Sequence, residues 1–143
     1  METQTSPVSM TLLLPLFVGS FTVLLLLVGA FNSLASGWRL LAARFAYSPE
    51  FRGRSWSWQS GQLRWVHYRN CLTLGANRDG LYLAILALFR FRHPPLHIPW
   101  KEITITPKRS FFRQGMEFRL GGEEGVPLWV SAALAERIRQ ASL

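Results

Sequence analysis

Basic residues are missing from the first quarter of the chain, and cysteine is almost absent throughout. The first 38 residues contain no Lys or Arg, and Glu2 is their only charged side chain. Cys71 is the single cysteine, so an intrachain disulfide is excluded, and a lone thiol fits a reducing compartment. At 143 residues the chain has room for one domain and one short additional element.

Positive charge is concentrated in the rest of the chain. All 16 basic residues lie between Arg39 and Arg139, against seven acidic residues in the same part, which gives it a formal charge of +9. Fourteen of the 16 are Arg, a bias that a GC-rich genome can also produce. A net positive charge attracts anionic surfaces, whether lipid, nucleic acid or acidic protein.

An uncharged apolar segment runs from Met10 to Trp38, and its most apolar part is Leu12 to Phe31, 20 residues long. A helix of that length spans roughly 30 Å, the hydrocarbon thickness of a bilayer. Pro15 is expected in the first turns, where a missing N–H costs little. The sequence therefore predicts a transmembrane helix over residues 11–36, preceded by a short periplasmic N-terminus, residues 1–10.

Two alternatives compete with a stable span. The first is a cleaved secretory signal with a small-residue site near Ala35, but the N-terminus has no basic residue and the apolar run is longer than in such signals. The second is a buried core helix of a soluble protein. The four consecutive leucines from Leu24 to Leu27 continue the apolar surface all round the helix and favour lipid instead.

The basic residues predict how the segment is oriented. Arg39 and Arg44 follow the apolar run closely and no basic residue precedes it, which predicts an outer N-terminus and a cytoplasmic C-terminal domain. Residues 37–54 are interpreted as a juxtamembrane amphipathic turn and linker, with Trp38, Leu41 and Phe45 on one face lying at the interface. Trp38, Arg39 and Arg44 are the predicted membrane-interface residues.

Alternating patterns after Ser55 predict short β-strands. They cover residues 55–58, 63–68, 71–74, 81–88, 96–100, 103–106, 111–112, 116–120 and 126–130, about seven strands once the shortest are joined. Breaks are expected at residues 59–61, at Asp79-Gly80 and at Gln114-Gly115, and the last two are hairpin signals. Ser131 is a good N-cap for a final helix, residues 132–141, with Leu134 and Ile138 inward.

Two stretches carry a resemblance to a known fold. They are Gly80-Leu81-Tyr82-Leu83 and Ile98-Pro99-Trp100-Lys101-Glu102-Ile103. With the order of strands and final helix, they resemble bacterial membrane-anchored PH-type and GRAM-type domains, and a family of bacterial single-pass membrane proteins with HPPL-x-IPW. The resemblance covers residues 55–143. It implies a PH-like antiparallel barrel of about seven strands with a C-terminal helix, in the bacterial inner membrane.

Residues able to support catalysis or hold a metal are sparse. Pro94-Pro95 separates His93 from His97 and forces an extended chain, which argues against a shared metal ion. Cys71 opens an apolar strand, where an inert buried thiol is expected. No phosphate-binding glycine loop is present, because Gly121-Gly122 sits among acidic residues. We expect no cofactor, no metal and no enzymatic activity.

Basic and aromatic residues just after the membrane segment form the candidate binding set. They are Arg52, Arg54, Trp56, Trp58, Arg64 and Arg69. The PH-like resemblance implies headgroup contacts from the first hairpin, where Arg54 and Arg64 would lie. The alternatives are general contact with the anionic inner leaflet, contact with a partner protein, and simple solvation. Nucleic acid is disfavoured, since no dense basic stretch exists.

The sequence thus predicts a non-catalytic accessory or scaffold subunit that docks a cytoplasmic PH-like domain on a partner membrane protein. Two alternatives remain open. One is a module that binds anionic lipid headgroups, and the other is a peripheral subunit of a photosynthetic or respiratory complex.

Overall fold

A computed structural model of the chain describes residues 7–47, 49–87, 90, 92–110, 112–122 and 125–143. The predicted periplasmic residues 1–6, together with Leu88, Phe111, Glu123 and Glu124 of the predicted strands and loops, lie outside the described residues. In chain order the elements are α1 (Pro7–Ala35), α2 (Trp38–Phe45), β1 (Arg54–Leu63), β2 (Val66–Ala76), β3 (Gly80–Ile85), β4 (Leu96–Pro99), β5 (Ile103–Ser110), β6 (Arg113–Leu120), β7 (Val126–Ser131) and α3 (Ala132–Ala141).

The long apolar segment is helical over its whole length. Met10–Ala35 is a 26-residue stretch with a mean hydropathy of 2.5, and none of its most apolar window is buried in the protein. At 1.5 Å per residue it is roughly 39 Å long, enough to cross a bilayer. Its side chains from Met10 to Val28 are exposed all round, so this part is not a core helix of this chain. Pro15 lies well inside α1 rather than in its first turns, because the helix already begins at Pro7.

The apolar face of α2 faces the domain and not the outside. Trp38 and Leu41 are buried in the main hydrophobic core, and Phe45 packs against it. The amphipathic helix is confirmed, but its predicted placement with this face at the membrane interface is corrected. The reason is that Gly37, at φ +79°, turns the chain back after α1 and brings α2 against β4 and the end of the sheet.

The seven strands form one antiparallel sheet in the order β4-β3-β2-β1-β7-β6-β5, curled into a half-barrel. α3 packs against β2, β6 and β7, so it covers the interior from both limbs of the sheet. Leu134 and Ile138 of α3 are buried, and the Ser131 hydroxyl accepts a hydrogen bond from Leu134 N at 3.3 Å. The predicted strands-then-helix fold and the Ser131 cap are confirmed.

One predicted strand break is wrong. Residues 59–61 do not form a turn, since β1 runs through them with an irregularity on each side of Gln59. The first holds Trp58 at φ 58°, and at the second Asn70 of β2, at φ 51°, donates its backbone N–H to Ser60 Oγ. The chain instead turns at Arg64 and Trp65, inside a predicted strand. Arg-Trp is not a turn sequence; the turn forms here because Arg64 N donates to Pro127 O at 2.9 Å.

One predicted hairpin is also displaced. Gly115 lies within β6, opposite Ser131, and the turn comes earlier, where Ser110 pairs with Arg113. A Cβ at Gly115 would lie 2.4 Å from the Trp129 ring, so glycine is needed there for close packing and not for turning. A turn between β2 and β3 is confirmed, but it is held by Asn77, whose Oδ1 accepts hydrogen bonds from Asp79 N and Gly80 N, both at 3.0 Å. Gly80 already begins β3 without a positive φ, and a Cβ there would clash with the carbonyl oxygen of Ile98, so this glycine too is needed for close packing.

The predicted linker is packed on the outside of the sheet. The Phe51 ring stacks on Tyr82 with centroids 4.6 Å apart, and Tyr47 lies 5.1 Å from the His97 ring. Asn77 Nδ2 also donates to the carbonyl oxygen of Arg52 at 3.0 Å. These contacts tie the segment after α2 to β3 and β4.

Candidate functional site

The last turns of α1 are built into the domain through a buried polar cluster. Ser33 and Ser36 are fully buried. The Ser33 hydroxyl donates to the carbonyl oxygen of Arg92 at 2.7 Å, and the Tyr68 hydroxyl donates to Ser36 Oγ at 3.1 Å. Because buried hydroxyls need such partners, the helix end and the domain are held together at defined points.

His93 closes this cluster from the other side. It is 2% exposed, and its Nε2 lies 3.1 Å from the Tyr68 hydroxyl. Its ring meets the edge of the Trp38 indole at 5.0 Å between centroids. His93 and His97 do not share a site, since His97 stacks on the linker aromatics on the outer face.

Trp38 anchors the junction from within. Its side chain is fully buried, and the indole Nε1 donates to the carbonyl oxygen of Pro94 at 2.9 Å. A fully buried ring does not reach lipid headgroups, so the predicted role of Trp38 as an exposed interfacial anchor is corrected. The physical reason is that the polar end of the indole finds its partner in the domain.

The two other predicted interface residues behave differently from each other. Arg39 is exposed beside the helix end. Arg44 contacts the domain: it donates to Gly121 O at 3.0 Å, lies 3.4 Å from a carboxylate oxygen of Glu102, and sits over the Phe45 ring.

The structure does not gather the six candidate binding residues into one patch. Arg54 begins β1 opposite Ala76, whereas Arg64 follows the other end of the same strand, beside Gly37. A ten-residue strand is about 33 Å long when extended. Arg52, Arg69 and Trp58 are exposed, and Trp56 packs against the core.

Burial sets the electrostatics of the nearby ionisable groups. It raises the pKa of the Tyr68 hydroxyl from 10.0 to about 12, partly offset by the hydrogen bond to Ser36. Burial also raises the pKa of the Cys71 thiol, which keeps it in the neutral, poorly nucleophilic form. On the outer face burial lowers the pKa of His97, while the charge of Asp79 opposes this.

The depressions in the surface are open and shallow. One of about 670 Å³ on the outer face of the sheet is lined by Gln62, Arg64, Trp65, Lys108, Glu117, Pro127 and Trp129. Within it Lys108 Nζ lies 3.2 Å from a Glu117 carboxylate oxygen. In the part of the chain that the structure describes, no group of three or more His, Cys, Asp or Glu side chains is placed to hold a metal ion.

The sequence reasoning missed the main components of the junction. Ser33 and Ser36 are polar residues three apart at the end of the apolar segment, a spacing that places both on one helical face and marks a protein contact. Tyr68 and His93 carry no local signal, and neither does the exposed Trp65. Comparison of the chain with protein-family models, with curated proteins and with solved structures finds no match.

Proposed function

We propose that this chain is a non-catalytic, membrane-anchored accessory or scaffold subunit that docks a cytoplasmic PH-like domain on a partner membrane protein. One observation carries the proposal: the end of α1 and the residues that follow it are buried against the domain through Ser33, Ser36 and Trp38. A helix joined in this way holds the domain at one height and angle to the bilayer. Such fixed placement suits docking beside another membrane protein.

Charge asymmetry and fold support the remaining parts of the proposal. Basic residues begin only at Arg39, which favours an outer N-terminus and a cytoplasmic domain. The seven-strand half-barrel with its C-terminal helix is compatible with the PH-like resemblance and with a bacterial inner-membrane protein. The half-buried thiol of Cys71, whose pKa burial raises, and the open surface depressions support a non-catalytic role.

Trp58 is the best candidate for the contact with the partner. It is 67% exposed and is held at a positive φ within a strand, a conformation that costs of order 1–3 kcal/mol and is often retained for function. Exposed tryptophan is enriched among the residues that dominate protein interfaces.

Extraction in mild detergent followed by native sizing tests the proposal. We expect the full chain in a defined assembly much larger than its own 16.3 kDa. Trp58→Ala should lower the fraction assembled, while Phe112→Ala, which removes a 98% exposed ring at the β5–β6 turn, should not. A lone monomer from wild-type membranes would refute it.

The orientation has its own test. A reporter that is active only in the cytoplasm, fused after Leu143, should be active. An inactive fusion with intact protein would overturn the cytoplasmic placement of the domain.

A further inference from the structure

The turn between β1 and β2 lies against the end of the membrane helix. A Cβ at Gly37 would be 3.1 Å from both Cζ and Nε of Arg64, so the guanidinium packs directly on Gly37, two residues after the end of α1. The backbone of the turn is fixed, because Arg64 N donates to Pro127 O and Gln62 Nε2 donates to Arg64 O, both at 2.9 Å. Lipid headgroups that surround the end of α1 would therefore be close enough to contact this turn.

Trp65 occupies the outer position of the same turn. Its side chain is 82% exposed, second only to Phe112 among the large apolar residues that the structure describes in the domain. An exposed indole costs solubility in water but is well accommodated in the headgroup layer, where its apolar body and polar N–H both find suitable surroundings. Its neighbour Arg64 contacts Gly37, so the turn that carries Trp65 lies beside the end of α1, with the ring at the edge of the depression on the outer face of the sheet.

A second segment reaches the same place from the other limb of the sheet. The carbonyl oxygen of Arg92 accepts the Ser33 hydroxyl, so the connection between β3 and β4 also borders the last turns of α1. The side chains of Arg90 and Arg92 are exposed. Arg39 and Leu40, the latter 60% exposed, follow the helix directly.

We propose that these residues form one bilayer-facing surface that rests on anionic lipid headgroups where α1 emerges. It consists of Arg39, Leu40, Arg64, Trp65, Arg90 and Arg92. Trp65 enters the headgroup layer and the arginines contact lipid phosphates through general electrostatic attraction, with no headgroup-specific pocket. The proposal rests on the membrane anchoring in the proposed function.

Continuity and charge favour lipid over protein as the occupant. The surface adjoins the end of a helix that is exposed all round from Met10 to Val28, so lipid surrounds the helix up to the turns that pack against the domain. Four of its six members are arginines, which match the negative potential of anionic headgroups. Fluorescence quenching by lipid distinguishes contact with lipid from contact with a partner protein.

Trp58, on the strand that leads into this turn, provides a matched comparison. It is also exposed, but it lies seven positions before Trp65, and the five steps from Trp58 to Leu63 alone extend about 16 Å along β1. The bilayer-facing surface therefore predicts contact with lipid for Trp65 and contact with water for Trp58.

Quenching of tryptophan fluorescence by brominated lipid tests this directly. The full chain is reconstituted in vesicles of phosphatidylcholine with phosphatidylglycerol, with bromine near the headgroup end of the acyl chains. Trp65→Phe should remove a quenched component from the emission, and Trp58→Phe an unquenched one. The proposal would be overturned if Trp65→Phe and Trp58→Phe removed equally quenched components of the emission. That result is also expected if Trp65 contacts a partner protein and not lipid.

The arginines have a separate readout. Arg90→Gln with Arg92→Gln should lower the quenching of Trp65 in vesicles with phosphatidylglycerol, towards the value in phosphatidylcholine alone. Arg109→Gln with Arg113→Gln, at the β5–β6 turn, is the matched control and should leave it unchanged. Quenching of Trp65 that is the same in both lipid mixtures would refute the electrostatic contact.

Insertion of α1 is checked independently. Phe21→Trp in a Trp65→Phe background adds an indole in the middle of α1, which should be quenched by bromine deep in the acyl chains if the helix spans. Loss of that signal would contradict the anchoring in the proposed function. If the helix is inserted but Trp65 is not quenched, only the bilayer-facing surface is refuted. If native sizing shows a monomer, the accessory-subunit proposal is refuted and the bilayer-facing surface is not.

Discussion

Ser33, in the last turn of the long apolar helix, donates a hydrogen bond to the carbonyl oxygen of Arg92, 2.7 Å away and 59 residues further along the chain. With the Trp38–Pro94 hydrogen bond at 2.9 Å, it joins α1 and α2 to the connection between β3 and β4. A helix that entered the domain through a flexible linker would leave the domain free to tilt. These two bonds instead make the helix end and the domain one packed unit.

Gly37 is predicted to be essential to this junction. Gly37→Ala would place a Cβ 2.9 Å from Val126 Cγ2 at a residue with φ +79°, and the left-handed conformation alone costs about 1–2 kcal/mol in a residue with a side chain. We expect a lower free energy of unfolding by about that amount or more, measured by guanidinium denaturation of the full chain in detergent micelles.

Gly19→Ala is the matched control for Gly37→Ala. A Cβ at Gly19 meets nothing within 4 Å, and alanine is the better helix former. Unfolding of the domain should be unchanged in this variant. If Gly37→Ala were equally silent, the packing of Arg64 and Val126 on Gly37 would be contradicted.

Trp38 is predicted to stabilise the domain and not to anchor it in lipid. Trp38→Phe leaves the Pro94 carbonyl oxygen without its donor, which should cost about 1–3 kcal/mol. Trp38→Ala also opens a cavity and should cost about 3–5 kcal/mol. Thermal and denaturant midpoints measure both.

The control for Trp38 is the exposed Trp65. Trp65→Phe should change the free energy of unfolding by less than about 0.5 kcal/mol, as expected for a surface position. If Trp38→Phe and Trp65→Phe lowered the free energy of unfolding equally, Trp38 would not be the buried tryptophan of the two.

Tyr68 predicts a loss of stability at alkaline pH. Its pKa is about 12 in the folded chain against 10.0 when exposed, because burial disfavours the phenolate. The unfolded chain therefore loses this proton first. The contribution of Tyr68 to the free energy of unfolding is therefore complete below pH 10 and falls as the pH rises towards 12. The total loss is of order 2–3 kcal/mol, since each unit of pKa difference corresponds to about 1.4 kcal/mol.

This alkaline loss of stability is checked by measuring the unfolding midpoints of the wild type and two variants between pH 9 and 12. Tyr68→Phe should be less stable at neutral pH, since Ser36 loses its partner, but should lack the part of the alkaline decline that Tyr68 causes. Tyr82→Phe, which removes a hydroxyl from a ring stacked on Phe51, should retain it. An identical decline in all three proteins would contradict the assignment.

Local signals in the sequence predicted those elements whose cause is local. The chain turns just before Gly80, where Asn77 Oδ1 accepts from the backbone N of Asp79 and Gly80, and Ser131 caps α3, because each needs only its immediate neighbours. The turn at Arg64 was not predictable in this way, since it depends on a hydrogen bond to Pro127 on another strand. Gly115 was misinterpreted because its reason for being glycine is the ring of Trp129.

The sequence alone determined that the chain has one charge-free helix long enough to span a bilayer, followed by a basic domain of seven strands and a final helix. Hydrophobic length, charge distribution and strand periodicity are properties of contiguous residues, so they can be read along the chain. Only the tertiary structure decided which way the apolar face of α2 points and which basic residues lie near the end of α1. Lipid and protein interior both accept a tryptophan such as Trp38, and the choice between them was made by Pro94, Tyr68 and His93, residues far away in sequence.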